Sequence, residues 1–221
     1  MASRRAAEKL MAEGRVTVDG QVISHMGAQV EPGQDVRVDG RPALPEAEKC
    51  YIMYHKPAGE VTTVTDPEGR ATVLDKFRDF PVRLYPVGRL DYDSEGLLLL
   101  TNDGPLAHAL LAPGRHVDKV YYVEVDGRLD QQDRRAFQAG VPLADGTVCQ
   151  PADLTVLDPP SQGLVTLREG KYHQVKRMLA ARGKPVTYLK RLSMGPLTLD
   201  PALPAGAWRP LTPEEKASLG R

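Results

Sequence analysis

Four consecutive leucines, Leu97–Leu100, constrain this chain more than any other feature. They follow the turn-rich stretch Gly-Arg-Leu-Asp-Tyr-Asp-Ser-Glu-Gly at 88–96 and run into Thr101-Asn102. A short apolar run bounded by turn signals reads as a buried strand. It is far too short to cross a bilayer, which takes ~20 apolar residues. A buried strand needs a core around it, and 221 residues with 41% hydrophobic side chains can supply one. At ~150 residues per domain the length corresponds to between one and two domains.

Lysine plus arginine number 29, and so do aspartate plus glutamate, so the formal net charge is zero. That balance excludes a polybasic tail or a membrane-surface protein, but not a nucleic-acid binder, which needs only local charge. The local count differs: residues 165–192 hold eight basic side chains against Glu169 alone, a net +7 that leaves −7 elsewhere. A charge run is usually a solvated helix face, but this one lacks acidic partners at helical spacing, so the sequence points to an external polyanion such as RNA. Cys50 and Cys149 have no metal-ligand spacing and make no disulfide framework. With no apolar leader after Met1-Ala2-Ser3-Arg4-Arg5, the reading is a cytoplasmic protein.

The pattern along the chain predicts an α+β protein. A helix is expected over 3–13, capped by Ser3, ended by Gly14, with Arg4, Arg5 and Lys9 on its polar side. An alternating segment at 16–23, broken by Asp19-Gly20, reads as a hairpin, and 36–40 as a further strand. Residues 1–40 thus form a small module, 41–49 a linker with two prolines, and 50–221 a larger domain. In the latter, strands are expected at 50–54, 59–64, 96–102, 119–125, 163–169 and 185–192. Helices are expected at 105–112, stopped by Pro113-Gly114, at 131–139 and at 173–182. Helices scattered among hairpin-like strands imply a largely antiparallel sheet.

The acidic turn admits several readings. Asp91, Asp93 and Glu95 imitate the first half of a calcium loop, but position twelve is Asn102 and the leucine strand interrupts the pattern. Asp93 and Glu95 are adequately explained as turn-forming acids. Asp91 differs, because Leu90 and the apolar strand hold it near the core. A carboxylate there can act as nucleophile or base if a cation keeps it ionised.

Taken together, VGRLDYDSEGLLLLTNDG at 87–104, HKPAG at 55–59, KVYYV at 119–123 and EGKYHQVKRM at 169–178 resemble the RsuA/RluB-type RNA pseudouridine synthases. The N-terminal module resembles the alpha-L RNA-binding domain fused to these enzymes. Segments 116–127, 145–152 and 184–200 resemble the RsuA branch, which modifies one uridine of small-subunit ribosomal RNA; branches acting on large-subunit RNA share the GRLD motif. Two departures stand out. The family's module opens with one more helix, so here the start is either truncated or a helix short, and the family's asparagine before Lys-Pro is His55, expected to be a packed residue.

The resemblance implies a pseudouridine synthase domain with a mixed, largely antiparallel sheet and a reaction needing no cofactor or metal. It makes Asp91 the nucleophile, with attack on the ribose, attack on the base, or removal of a sugar proton all open. It makes Tyr121 the aromatic under the target base and Lys176 the cation beside Asp91. It gives Arg89 the task of filling the space left by the flipped uridine, whose unstacking costs a few kcal/mol. Tyr122 then points to the other sheet face, and Arg177, turned about 100° from Lys176, serves a different partner. Leu167 and Val165 are candidate pocket walls. His173 reads as a hydrogen-bonding or RNA-contacting residue at a helix N-terminus. Lys56, Arg70, Lys171, Lys190 and Arg191 are candidate phosphate contacts, while His25, His108 and His116 belong to no constellation. The partner implied is ribosomal RNA, within an assembling small subunit or free, and the chain reads as a monomer. The competing readings are a non-catalytic ribosomal-RNA-binding assembly factor of the same fold and a calcium-binding or glycosidase-like protein using the 91–95 carboxylates.

Overall fold

Two Asp-Gly pairs shape the first part of the chain. The structure, a computed structural model, describes residues 4–31, 33–43, 48–112 and 117–220, with the backbone alone at Arg4. Ser3, residues 44–47 of the expected linker, Pro113-Gly114 and His116 lie outside the described residues. The chain separates into two compact units, Met1–Glu48 and Lys49–Arg221.

In the first unit, helix α1 (Arg4–Ala12) ends where Gly14 adopts φ 70° and its amide bonds the Met11 carbonyl. Asp19-Gly20 joins β1 (Val16–Val18) to β2 (Gln21–Val22), and Asp39-Gly40 joins β3 (Val36–Val38) to β4 (Arg41–Pro42). All four turn residues have positive φ, the geometry of the two-residue hairpin turn that favours Asp-Gly. The strands order as β2-β1-β3-β4. Arg41 and Pro42, expected in the linker, are thus a strand of this sheet: the second Asp-Gly turn folds them back, and proline is tolerated on an edge.

The second unit is built on a nine-stranded sheet. Its strands are β5 (Tyr51–Lys56), β6 (Tyr85–Val87), β7 (Glu95–Thr101), β8 (Lys119–Val125), β9 (Asp153–Val156), β10 (Gln162–Leu167), β11 (Val186–Met194), β12 (Leu197–Thr198) and β13 (Trp208–Pro210). The order is β13-β5-β7-β11-β8-β10-β9, with β6 beside β7 and β12 beside β11. Every pairing is antiparallel except β7 with β11. Helices are α2 (Gly104–Leu111), α3 (Gln131–Ala139), α4 (Gln174–Ala181) and α5 (Pro213–Leu219). The four leucines lie in β7 and are fully buried on both faces: Leu98 and Leu100 pack with Phe137 of α3 and Met178 of α4, Leu97 and Leu99 with Leu110 of α2 and Leu219 of α5.

Gly96, the second residue of β7, makes its parallel contact possible. A Cβ there would stand 2.2 Å from the Arg191 carbonyl oxygen and 2.6 Å from its amide nitrogen. Residues 59–64, expected as a strand, form none; a single bridge, Val61 to Thr72, is all that pairs there. Among the described residues no helix is long and apolar enough to cross a membrane.

Candidate active site

The turn before β7 is held by side chains, not by sheet pairing. The Thr62 hydroxyl donates to the Leu90 carbonyl at 2.7 Å and accepts from the Leu90 amide at 3.2 Å, clamping the residue before Asp91. Lys56, at the end of β5, is fully buried beneath the turn. Its ammonium donates to the carbonyls of Pro57 at 2.9 Å, Ser94 at 2.8 Å and Tyr92 at 3.4 Å. Burial pushes this lysine down to about 8, against the pull of Glu60, Asp93, Asp91 and Glu95. Lys56 is therefore no phosphate contact, because its protons are spent on the turn that carries Asp91. Thr62 was missed because the β-branched run at 61–64 looks like a strand.

Asp91 faces helix α4. His173 Nε2 stands 3.5 Å from its Oδ1 and Lys176 Nζ 3.7 Å from its Oδ2. His173 precedes α4 in the left-handed conformation, φ 47°, its ring stacked on that of exposed Tyr172 with centroids 3.8 Å apart. Lys176 makes its closer bond to Asp93. Burial alone would raise the Asp93 carboxyl, but the Lys176 ammonium brings it below its ordinary range. Asp93 is thus more than a turn former: it shares the lysine with Asp91. Glu95 instead accepts from the Tyr188 hydroxyl at 2.7 Å. The three acids of the turn do not converge, and among the described residues no group of three His, Cys, Asp or Glu is placed to hold a metal ion.

Asp91 borders a cleft of about 640 Å³ that Arg89, Lys119, Tyr121, Leu167, Lys171, Tyr172, His173 and Arg191 also line. Tyr121 and Arg191 are direct partners across β8 and β11, and Leu167 is opposite Lys119 across β10 and β8, so all four lie on one sheet face. Tyr122 turns to the other face, where its ring meets Tyr188 and its hydroxyl bonds Glu124. Val165 is fully buried and does not reach the cleft. Arg89 is exposed and makes no ion pair or side-chain hydrogen bond among the described residues. A larger depression, about 770 Å³ around residues 64–84, contains none of the motif residues apart from Arg70, which pairs with Asp66 and Glu68. A carboxylate with a lysine beside it, sharing a cleft with a tyrosine, suits nucleophilic chemistry on a stacked aromatic base.

Residues 50–181 match the family described as RNA pseudouridylate synthase, and residues 1–36 match the S4 domain. The chain belongs to the RNA pseudouridylate synthase family. This synthase is 44% identical to a Pseudomonas aeruginosa protein named ribosomal small subunit pseudouridine synthase A, over 98% of this chain and 94% of the other. It is 40% identical to the Bacillus subtilis ribosomal large subunit pseudouridine synthase B, over 99% and 91%. A crystal structure titled pseudouridylate synthase superposes with a TM-score of 0.74 at 32% identity, covering 98% of this chain and 94% of that one.

The synthase corrects the reading of its basic run. Six of the eight cations at 165–192 meet carboxylates: Arg168 meets Asp118, Lys171 meets Glu169, Lys176 meets Asp91 and Asp93, and Arg177 meets Asp145, while Arg182 and Lys184 share Asp133. Most partners are remote in sequence, so helical spacing could not reveal them. Arg177 does serve a different partner from Lys176. Lys190 is half-buried with no carboxylate within reach among the described residues. Arg191, a candidate phosphate contact, is 1% exposed. In the first unit Arg5 is exposed and exposed Lys9 stands 3.8 Å from Glu13. His55 is packed, its Nδ1 2.7 Å from the Leu203 carbonyl oxygen.

Proposed function

We propose that this RNA pseudouridine synthase isomerises one uridine of small-subunit ribosomal RNA, with Asp91 as the nucleophile. The observation that carries the reading is the single cleft in which Asp91, flanked by His173 and Lys176, borders Tyr121. The uridine leaves its stack and enters the cleft, at a cost of a few kcal/mol. Tyr121 stacks on the base, a contact worth about 1–3 kcal/mol. Lys176 places its ammonium beside the Asp91 carboxylate. The bond from ribose C1′ to N1 breaks, the base turns, and a bond from C1′ to C5 forms. C5 loses a proton and N1 gains one, so the isomerisation needs neither oxidant nor net hydrolysis. Arg89, unpaired at the cleft margin, is free to fill the space the base has left.

Arg4, Arg5 and Lys9 of the N-terminal module, residues 1–40, are proposed to hold the RNA backbone, together with Lys171, His173, Arg177 and Lys190 around the catalytic domain, residues 50–221. The chain acts as a cytoplasmic monomer on ribosomal RNA, free or in an assembling small subunit. The small-subunit assignment rests on the resemblance of segments 116–127, 145–152 and 184–200 and on the Pseudomonas aeruginosa relative. The Bacillus subtilis relative supports a second reading, in which the target is large-subunit RNA.

Pseudouridine mapping of ribosomal RNA from cells with the gene, without it, and with Asp91→Asn decides between them. Loss of one small-subunit site in the last two strains is the expected result. Loss confined to large-subunit RNA selects the second reading, and an unchanged map with the gene deleted rejects both.

A further inference from the structure

Two cations of the basic run, Lys190 and Arg191, have no carboxylate within reach among the described residues, and Arg191 lies inside the cleft. The Arg191 guanidinium is 1% exposed; Nε donates to the Leu97 carbonyl at 2.7 Å, and Nη2 has no hydrogen-bond partner among the described residues. A buried, unpaired donor on a charged group is costly unless a partner arrives. A second cation deepens the deficit. Lys119 lies two residues before Tyr121 on the same face of β8, and Tyr121 is the direct cross-strand partner of Arg191. The Lys119 ammonium makes one hydrogen bond, to the Val117 carbonyl at 3.1 Å, and no carboxylate lies within reach of it among the described residues. The adjacent acid, Asp118, is engaged by Arg168 at 2.9 Å. Burial, and then the charge on Arg191, hold Lys119 below its ordinary range.

Both cations line the cleft with Asp91 and Tyr121. A uridine drawn into that cleft brings its backbone phosphates with it. We infer that Lys119 and Arg191 form an internal anion subsite that takes a phosphate attached to the target uridine, the Lys119 ammonium and Arg191 Nη2 donating to its oxygens. The inference rests on the proposed reading of the cleft as the uridine site. It separates two classes of basic residue: cations on the surface that hold the RNA at large, and this pair, which recognises the flipped nucleotide itself. Charge-assisted bonds of this kind are short and about twice as strong as neutral ones. A neutral base carbonyl is the other group to which Nη2 could donate, and it would make uridine alone sufficient.

The full chain is titrated with uridine, uridine 5′-monophosphate and uridine 3′-monophosphate, with binding followed by nuclear magnetic resonance. At least one monophosphate is expected to bind about tenfold tighter than uridine, as one charge-assisted contact allows. Lys119→Met and Arg191→Met are each expected to remove that advantage while leaving uridine affinity in place. If Arg191→Met does not fold, Lys119→Met, at a residue that is not fully buried, decides alone. Equal affinity for uridine and both monophosphates in the unmodified protein, or an advantage that survives in Lys119→Met, overturns the subsite. Pseudouridine formation on ribosomal RNA is measured separately. A phosphate advantage without any pseudouridine sinks the proposed function and leaves the subsite standing, while pseudouridine without a phosphate advantage does the reverse.

Discussion

In the N-terminal unit no described residue is buried, whereas β7 alone, in the second unit, buries six of its seven residues. The same chain therefore uses two kinds of order. The first unit is defined by two Asp-Gly turns, the Arg15–Asp39 fork at 2.8 and 2.6 Å, and the Asp19 carboxylate that accepts from the Asp35 amide. Exposed ion pairs of this sort add little stability. The second unit is defined by apolar burial on both faces of a central strand, which is strong and insensitive to salt. A surface that must meet RNA keeps its polar groups outside, while a site that must hold a carboxylate within ångströms of its partners is carried on a rigid core.

The sharpest test of that division is Asp91→Asn. Pseudouridine formation should fall about a thousandfold or more, as when a catalytic nucleophile is removed, while melting and RNA affinity stay near those of the parent. Comparable activity would mean that the core supports chemistry elsewhere. Next comes Leu98→Ala, which should cost about 2–5 kcal/mol in the second unit through the cavity it leaves. Hydrogen exchange is the measurement of choice, because protection should drop across β5, β7 and α4 and stay unchanged in β1–β4.

Lys56→Met keeps the bulk beneath the turn and removes the donors. A loss of about 10- to 100-fold in kcat is expected, the scale of a misplaced catalytic group, with KM for RNA little changed. The pH profile gives the same residue a signature. The ammonium titrates at about 8 in the folded protein against an ordinary 10.5, so the folded state releases its proton first. Stability contributed by this group accordingly rises between about 8 and 10.5. Activity should decline over the same interval, since a neutral amine has too few protons for three carbonyls. Melting and rate measured from pH 7 to 10 should diverge in the parent and lose that divergence in Lys56→Met; a parallel fall of both would remove Lys56 from this role.

Smaller effects are expected in the first unit. Gly20→Ala forces a side chain into φ 81° and should destabilise the hairpin by about 1 kcal/mol, seen as earlier exchange in β1 and β2. Arg5→Gln should leave kcat unchanged at saturating RNA and flatten the salt dependence of binding by about one unit of slope. An unaltered slope would take Arg5 off the RNA.

What could be read in advance follows the same division. Strand β7 was legible as a short apolar run between turn residues, β8 as an alternating segment, and helix α3 by the glycine that stops it. The edge strands β6, β9, β12 and β13 were not, being two to four residues long and, at Pro86 and Pro210, carrying residues that argue against a strand. Asp91, Tyr121 and Lys176 could be named as candidates because their neighbours in sequence are distinctive. Burial of charge was not legible: Lys56 beside a proline and Arg191 beside Lys190 look like surface residues, and only the tertiary fold sets one under the turn and the other within the cleft. The acids that neutralise the basic run, Asp118, Asp133 and Asp145, are likewise visible only once distant segments have met.

The strand order β7-β11-β8 has a consequence for how the protein comes into being. Strands β7 and β8 are made first, and the strand that lies between them, β11, follows only at Val186–Met194. A growing polypeptide that already displays the Asp91 turn and Tyr121 has no strand to bring them to one cleft, nor yet the helix that supplies Lys176. Domains tend to fold as units once enough chain has emerged during synthesis. The cleft is therefore incomplete until β11 has been made, and Asp91, Lys176, Tyr121 and Arg191 come together when that strand inserts.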